Sequence, residues 1–178
     1  MIITITGKPG SGKSVVAKAL AKKLKLRHFT AGTLYRQYAK KRHMGIIELN
    51  KYLKTHRNID KQIDKKQIEL AKKGNIIIDG RTTFKILPNS IKIFLNVSQD
   101  EAAKRIFKAK RKLESFKSIN QVKKEIKQRS NLERKRYKNV YKVDIYDKKN
   151  FDLYLNTSNL SIGQVVNVLV RFIKLRKP

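Results

Sequence analysis

Apolar residues along this chain follow two alternating patterns. Short β-branched runs bounded by turn residues occur at Ile2–Thr6 (IITIT), 75–79 (NIIID), 91–97 (IKIFLNV) and 151–157 (FDLYLNT). Runs of this length next to Gly7, Gly80 or Pro88 read as buried strands. Between them, apolar positions recur every three or four residues, the period of one helix face. The first such stretch begins at Lys13, with Val16, Leu20 and Leu24 in phase. Others cover roughly 32–42, 46–54, 59–73, 99–112, 118–138 and 161–175. Strands alternating with helices of this length predict parallel βαβ units with helices on both faces of one sheet. No repeat or low-complexity tract interrupts the pattern, and 178 residues suit a single α/β domain with helical insertions at 32–73 and 108–138.

The first strand-to-helix junction carries chemistry. Gly7–Ser14 reads GKPGSGKS and matches G-x-x-x-x-G-K-[ST], placed after a strand and at the start of a helix, as that motif requires. Its glycines let backbone N–H groups curl around phosphate oxygens, and the helix N-terminus adds a favourable dipole. The expected nucleotide-binding set is Gly7, Lys8, Pro9, Gly10, Ser11, Gly12, Lys13, Ser14 and Val15. Lys13 is expected to reach the β- and γ-phosphates as a catalytic group, and the Ser14 hydroxyl to ligate Mg2+. Asp79 ends the apolar run Ile76–Ile78, where a carboxylate can orient the same ion; plain turn chemistry also places Asp there. These elements imply ATP or GTP with Mg2+. Asn50–Lys54 (NKYLK) lacks the Asp of the guanine motif N-K-x-D, and the chain is short for a motor or helicase. A small kinase fits best.

Acceptor chemistry starts at TAGTLYR, residues 30–36, where a hydroxyl, a glycine and a forward arginine follow one another. This stretch resembles the S/T-x-G-x-x-x-R element of nucleoside monophosphate kinases, particularly the archaeal-type cytidylate kinases. Further segments extend the resemblance over nearly the whole chain: IDKQIDKKQIELAKKGNIIIDGR, RSNLERKRY and FDLYLNTSNLS. It implies a P-loop NTPase fold: a parallel β-sheet core flanked by helices, with a helical acceptor arm at about 32–73 and a lid at about 108–120. It further implies transfer of the γ-phosphoryl group of ATP to a nucleoside monophosphate, CMP or dCMP first, with AMP or UMP as the alternative. Thr30, Gly32, Arg36, Asp60, Asp64 and Arg81 would then hold the acceptor, with the two arginines on its phosphate. A planar guanidinium suits that task. Asp60, Asp64 and Gln67 share one helix face at i, i+4 and i+7, and either read the base or sugar or pair with nearby lysines. Thr33 stands where the family commonly has an acidic residue, and Val15 where a second hydroxyl would help hold the α-phosphate.

Arg129–Tyr137 (RSNLERKRY) departs from the amphipathic rule. Ile119, Val122 and Ile126 mark an inward helix face, and the same spacing continues to Arg129, Glu133 and Arg136, then Val140. Ionisable groups on a core-facing stripe suit either a phosphate-filled cleft or a buried Arg–Glu–Arg network. The resemblance favours the cleft, with Arg129 and Arg136 as catalytic residues on the transferring phosphates.

Composition adds bounds. The chain has no cysteine, which excludes disulfides, thiolate metal sites and a cysteine nucleophile. No apolar run approaches the ~20 residues of a bilayer span. The N-terminus lacks the pattern of a signal peptide, so a cytoplasmic monomer is expected. Lys and Arg number 44 against 13 acidic residues, a net charge of +31 spread along the chain. Such charge favours polyanions, so nonspecific nucleic-acid affinity is expected, and an NTP-dependent RNA- or DNA-associated protein is the alternative from another class. Against that alternative, the aromatic residues are dispersed and form no RNA-binding signature. His28, His43 and His56 show no ligand spacing and receive no role.

Overall fold

The computed structural model describes residues 1–109 and 116–176. Residues 110–115, the middle of the expected lid, lie outside the described residues. Five parallel strands form one sheet: β1 (Ile2–Gly7), β2 (Arg27–Thr30), β3 (Ile76–Asp79), β4 (Ile91–Asn96) and β5 (Leu153–Asn156), in the order β2-β3-β1-β4-β5. β1, β3 and β4 are the continuous apolar runs because they sit inside the sheet with helices over both faces. β2 is the strand that hydrophobic pattern alone misses. It lies at the sheet edge, partly exposed, and Phe29 is its one apolar residue.

The helices are α1 (Lys13–Leu24), α2 (Ala31–Lys41), α3 (Ile46–Tyr52), α4 (Arg57–Lys72), α5 (Thr83–Ile86), α6 (Gln99–Lys108), α7 (Ile119–Tyr141) and α8 (Ile162–Leu175). The four-residue α5 is too short to show a period and was not expected. α1 and α8 pack on one sheet face, where Val16, Leu20, Val165 and Leu169 meet Ile3, Ile5, Ile77 and Leu95. Burying one such side chain is worth about 1.5–3 kcal/mol, which fixes which face of each helix turns inward. α8 starts on a reciprocal cap, with Ser161 and Gln164 each bonding the other's backbone N–H.

α2, α3 and α4 form the insertion between β2 and β3 and carry a core of their own, including Ala39, Leu49, Leu53, Ile59 and Ile63. α6 and α7 meet through Ala102, Ala103, Ile106, Val122 and Ile126. Ile119, expected on the inward face of α7, is 37 % exposed because it begins the helix beyond that contact. Parallel pairing brings the C-terminal ends of all strands to one edge, the usual ligand edge of an open α/β sheet. There Thr30 is paired in register with Asp79, and Gly7 opens the glycine loop.

Candidate functional site

The glycine loop holds its shape through backbone that other residues adopt poorly. Gly10 and Gly12 have φ of 78° and 77°, in the left-handed region. A Cβ on Gly10 would also lie 2.7 Å from the Ala102 Cα. The loop runs directly into α1, whose first two residues are Lys13 and Ser14, so both sit at the positive end of the helix dipole.

Asp79 is the hub opposite them. Its Oδ1 accepts from the Ser14 hydroxyl at 2.7 Å, and its Oδ2 accepts from the Thr30 hydroxyl at 2.7 Å. The His28 Nε2 lies 2.9 Å from the same Oδ2. Burial pushes the Asp79 carboxyl up, but His28, the Lys13 ammonium, Thr30 and Ser14 together hold it below its usual range. The Ser14 and Asp79 oxygens are hard donors on adjacent elements. They suit Mg2+, which takes one or two protein oxygens and fills its shell with phosphate oxygens and water. Burial and the neighbouring Arg81 lower the Lys13 ammonium to about 7.

Glu133, 3 % exposed on α7, binds two guanidinium groups. The Arg81 Nε donates to its Oε2 at 2.7 Å and the Arg129 Nε to its Oε1 at 2.9 Å. Burial raises the Glu133 carboxyl, but Arg81 and Arg129 outweigh it and bring it down to about 2. Arg81 also donates to the Gly7 carbonyl, while its buried Nη2 has no hydrogen-bond partner among the described residues. The Arg136 Nη1 instead donates to both oxygens of Asp60, at 2.7 and 2.6 Å, in a pair whose side chains are each 2 % exposed. The Tyr35 hydroxyl donates to the same carboxylate at 2.6 Å. One turn further along α4, Asp64 accepts from the Tyr141 hydroxyl at 2.6 Å and from Gln67 at 3.3 Å. Burial, opposed by the Tyr141 bond, raises the Asp64 carboxyl to about 6.

One cavity gathers half of the expected set: Lys13, Ser14, Thr30, Gly32, Arg36, Asp79, Arg81, Arg129 and Arg136 all line it. Arg36 comes from α2 and donates to Thr33 at 3.2 Å. Asp60 and Asp64 are the expected acceptor-binding residues that do not line this cavity. Their partners are Arg136, Tyr35, Tyr141 and Gln67, none of them a lysine. Gly10, Ser11, Gly12 and Val15 line a second pocket of about 450 Å3, with Arg105, Thr157 and Ile162. Lys8 and Pro9 border a separate depression beside α6 and α7. In the arginine segment, cleft and network coexist, since Arg129, Glu133 and Arg136 line the cavity while holding ion pairs. The network's second arginine at Glu133 is Arg81, not Arg136.

Sequence reasoning left out His28, Tyr35 and Asn50. His28 stands two residues before Thr30, so a strand at 27–30 puts both on one side; without β2 that signal is silent. Tyr35 and Asn50 also line the cavity, and nothing in their local pattern marks them.

A parallel sheet of this order, with a phosphate loop after β1 and an acidic residue ending β3, defines a P-loop kinase. Solved structures of similar fold include an uncharacterised protein from Eubacterium ventriosum (TM-score 0.75, 17 % identity, 99 % of each chain covered). Shikimate kinase from Bacteroides thetaiotaomicron is another (TM-score 0.65, 20 % identity, 98 % of each chain). The sequence profile of the cytidylate kinase-like family matches residues 2–159, and the chain belongs to that family. It is 38 % identical over 174 residues to the cytidylate kinase of Methanocaldococcus jannaschii, covering 95 % of each chain. To that of Methanococcus aeolicus it is 38 % identical over 178 residues, covering 97 % of each.

Proposed function

We propose that this protein transfers the γ-phosphoryl group of ATP to CMP or dCMP, giving the diphosphate and ADP. The observation that carries the reading is the convergence on one cavity of Lys13, the Ser14–Asp79 pair, Arg81 and Arg129. Arg81 brings to it a buried guanidinium nitrogen without a partner among the described residues, which suits a phosphate oxygen. The acceptor is assigned from the cytidylate kinases to which the chain is similar.

Phosphoryl transfer needs little covalent chemistry from the protein; the demand is alignment and charge neutralisation. The loop amides and Lys13 hold the donor phosphates. Ser14 and Asp79 are the residues that would hold Mg2+, which when bound would supply neutralisation of the charge that develops on the phosphates. Arg36 and Arg81 take the acceptor phosphate, and Arg129 faces the transferring group. Glu133 fixes Arg81 and Arg129 before substrate arrives, so little reorganisation is left for the reaction itself. Asp60 acts by holding Arg136, and Asp64 by anchoring Tyr141. The pocket bordered by Gly12, Val15 and Arg105 takes the donor base. Closure of the α2–α4 arm keeps water from the γ-phosphoryl group.

Incubation with ATP, Mg2+ and a panel of acceptors tests this. CMP or dCMP is expected to be consumed fastest, ahead of UMP, AMP and shikimate. The proposal fails if no nucleoside monophosphate is phosphorylated, or if RNA stimulates ATP turnover more than any of them.

A further inference from the structure

Asn50 lines the candidate cavity and has no place in the phosphate chemistry just described. It lies on α3 and is 4 % exposed. Around it the wall is apolar, made by Ile46, Leu49 and Leu53. The charged groups of the same cavity come from α1, α2, β3 and its following loop, and α7. A flat nucleobase wants that kind of wall: apolar surface with a few placed polar atoms that fix its identity. The neighbouring Tyr35 hydroxyl is already committed as a donor to Asp60, at 2.6 Å.

The orientation of the Asn50 amide is fixed by chemistry. Its Nδ2 donates to the Ile46 carbonyl at 2.9 Å. The flipped amide would set two acceptor oxygens at that same 2.9 Å, which is repulsive. The Oδ1 is therefore the atom turned away from Ile46, and among the described residues it accepts no hydrogen bond. An amide pinned in this way holds its oxygen as a fixed acceptor, beside the second N–H of Nδ2.

We infer that Asn50 is a specificity-determining residue whose Oδ1 accepts a hydrogen bond from the exocyclic amino group of the acceptor base. The inference rests on the proposed nucleoside monophosphate kinase reading and deepens it. Cytosine offers an N4 amino donor, whereas uracil offers an O4 acceptor, which would face the Asn50 oxygen as like against like. A site built to bond a polar group rejects ligands that cannot make the bond, because its own polar atom is then left unpaired. Asn50 thus separates amino from keto bases and leaves ring size to other walls.

The test pairs a change in the protein with a change in the ligand. Parent and Asn50→Leu proteins are assayed with CMP, with UMP and with the pyrimidin-2-one analogue of CMP, which lacks the amino group. The parent should favour CMP over the analogue by about ten- to a hundred-fold in kcat/KM, the usual worth of one good base contact. Asn50→Leu should lose a similar factor with CMP, mainly through KM, and should no longer distinguish CMP from the analogue. Non-additivity of the two changes is the signature of direct contact. If the effects add, or if the parent turns over CMP and the analogue equally, Asn50 does not read the amino group. The second of those outcomes needs only the parent protein, so it stands even if the variant folds poorly. If the parent phosphorylates no pyrimidine monophosphate, the proposed function itself fails, a result distinct from loss of discrimination alone.

Discussion

Single residues of this site divide into groups aimed at substrate and groups that hold them. Lys13 is the clearest of the first kind. Lys13→Ala should abolish phosphoryl transfer and leave the fold intact, because no described backbone element depends on its side chain; near-normal CMP turnover with unchanged circular dichroism would refute its role. Arg129 allows a cleaner reading than Arg136, which also neutralises buried Asp60. Arg129→Ala should lower kcat on the order of 100-fold with a smaller change in KM, since charge there is needed most in the transition state. Steady-state kinetics decides, and an unchanged kcat would leave Arg129 only a structural part. Asp64 gives a prediction in pH. Its carboxyl is raised when folded, from 3.8 to about 6. It therefore binds its proton more tightly in the native state, and its stabilising effect is complete below pH 3.8 and lost as pH rises through about 6. Asp64→Asn should accordingly gain stability relative to the parent as pH rises from about 4 to about 7, measured by urea unfolding at several pH values. Glu133 runs the other way, since its carboxyl is lowered from 4.5 to about 2: its contribution is present above pH 4.5 and lost as pH falls through about 2.

At the scale of elements, the buried Asp60–Arg136 pair joins α4 of the insertion to α7 across 76 residues of chain. Removing one partner strands the other charge in a dry setting. Asp60→Ala should therefore cost about 3–5 kcal/mol by denaturant unfolding, and a cost under about 1 kcal/mol would show the pair to be dispensable. The same pair marks the limit of what the sequence revealed. The phase of α7 made the oddity of Arg129, Glu133 and Arg136 legible, because charge on a core-facing stripe breaks the amphipathic rule. The partners were not legible, since Asp60 and Arg81 reach α7 only through tertiary packing. Central strands were readable as apolar runs, whereas β2, a half-exposed edge strand, carries no periodic signal. With β2 went His28, whose contact with Asp79 depends on strand register. Gly7–Ser14 was readable in full because its chemistry lies in consecutive residues.

Across the whole molecule, a net charge of +31 on 178 residues means the folded state works against its own repulsion. Salt should relieve this: the melting temperature is expected to rise as NaCl goes from about 10 to about 150 mM, where the screening length falls to about 8 Å. A melting temperature that stayed flat or fell would show that local ion pairs, such as Arg134 with Asp144 and Lys123 with Asp100, already balance the field. No helix among the described residues is long and apolar enough to cross a membrane.

The order of the strands also bears on how distant parts of the chain depend on one another. β1 and β2 are not neighbours; β3 lies between them, and β1 pairs otherwise with β4. Residues 1–75 therefore hold a phosphate loop and three arm helices but no two strands that pair with each other. β3 (Ile76–Asp79) pairs with both β1 and β2, so closing this half of the sheet joins segments far apart in sequence. That same strand ends in Asp79, so the pairing that completes this part of the sheet also brings the carboxylate to Ser14.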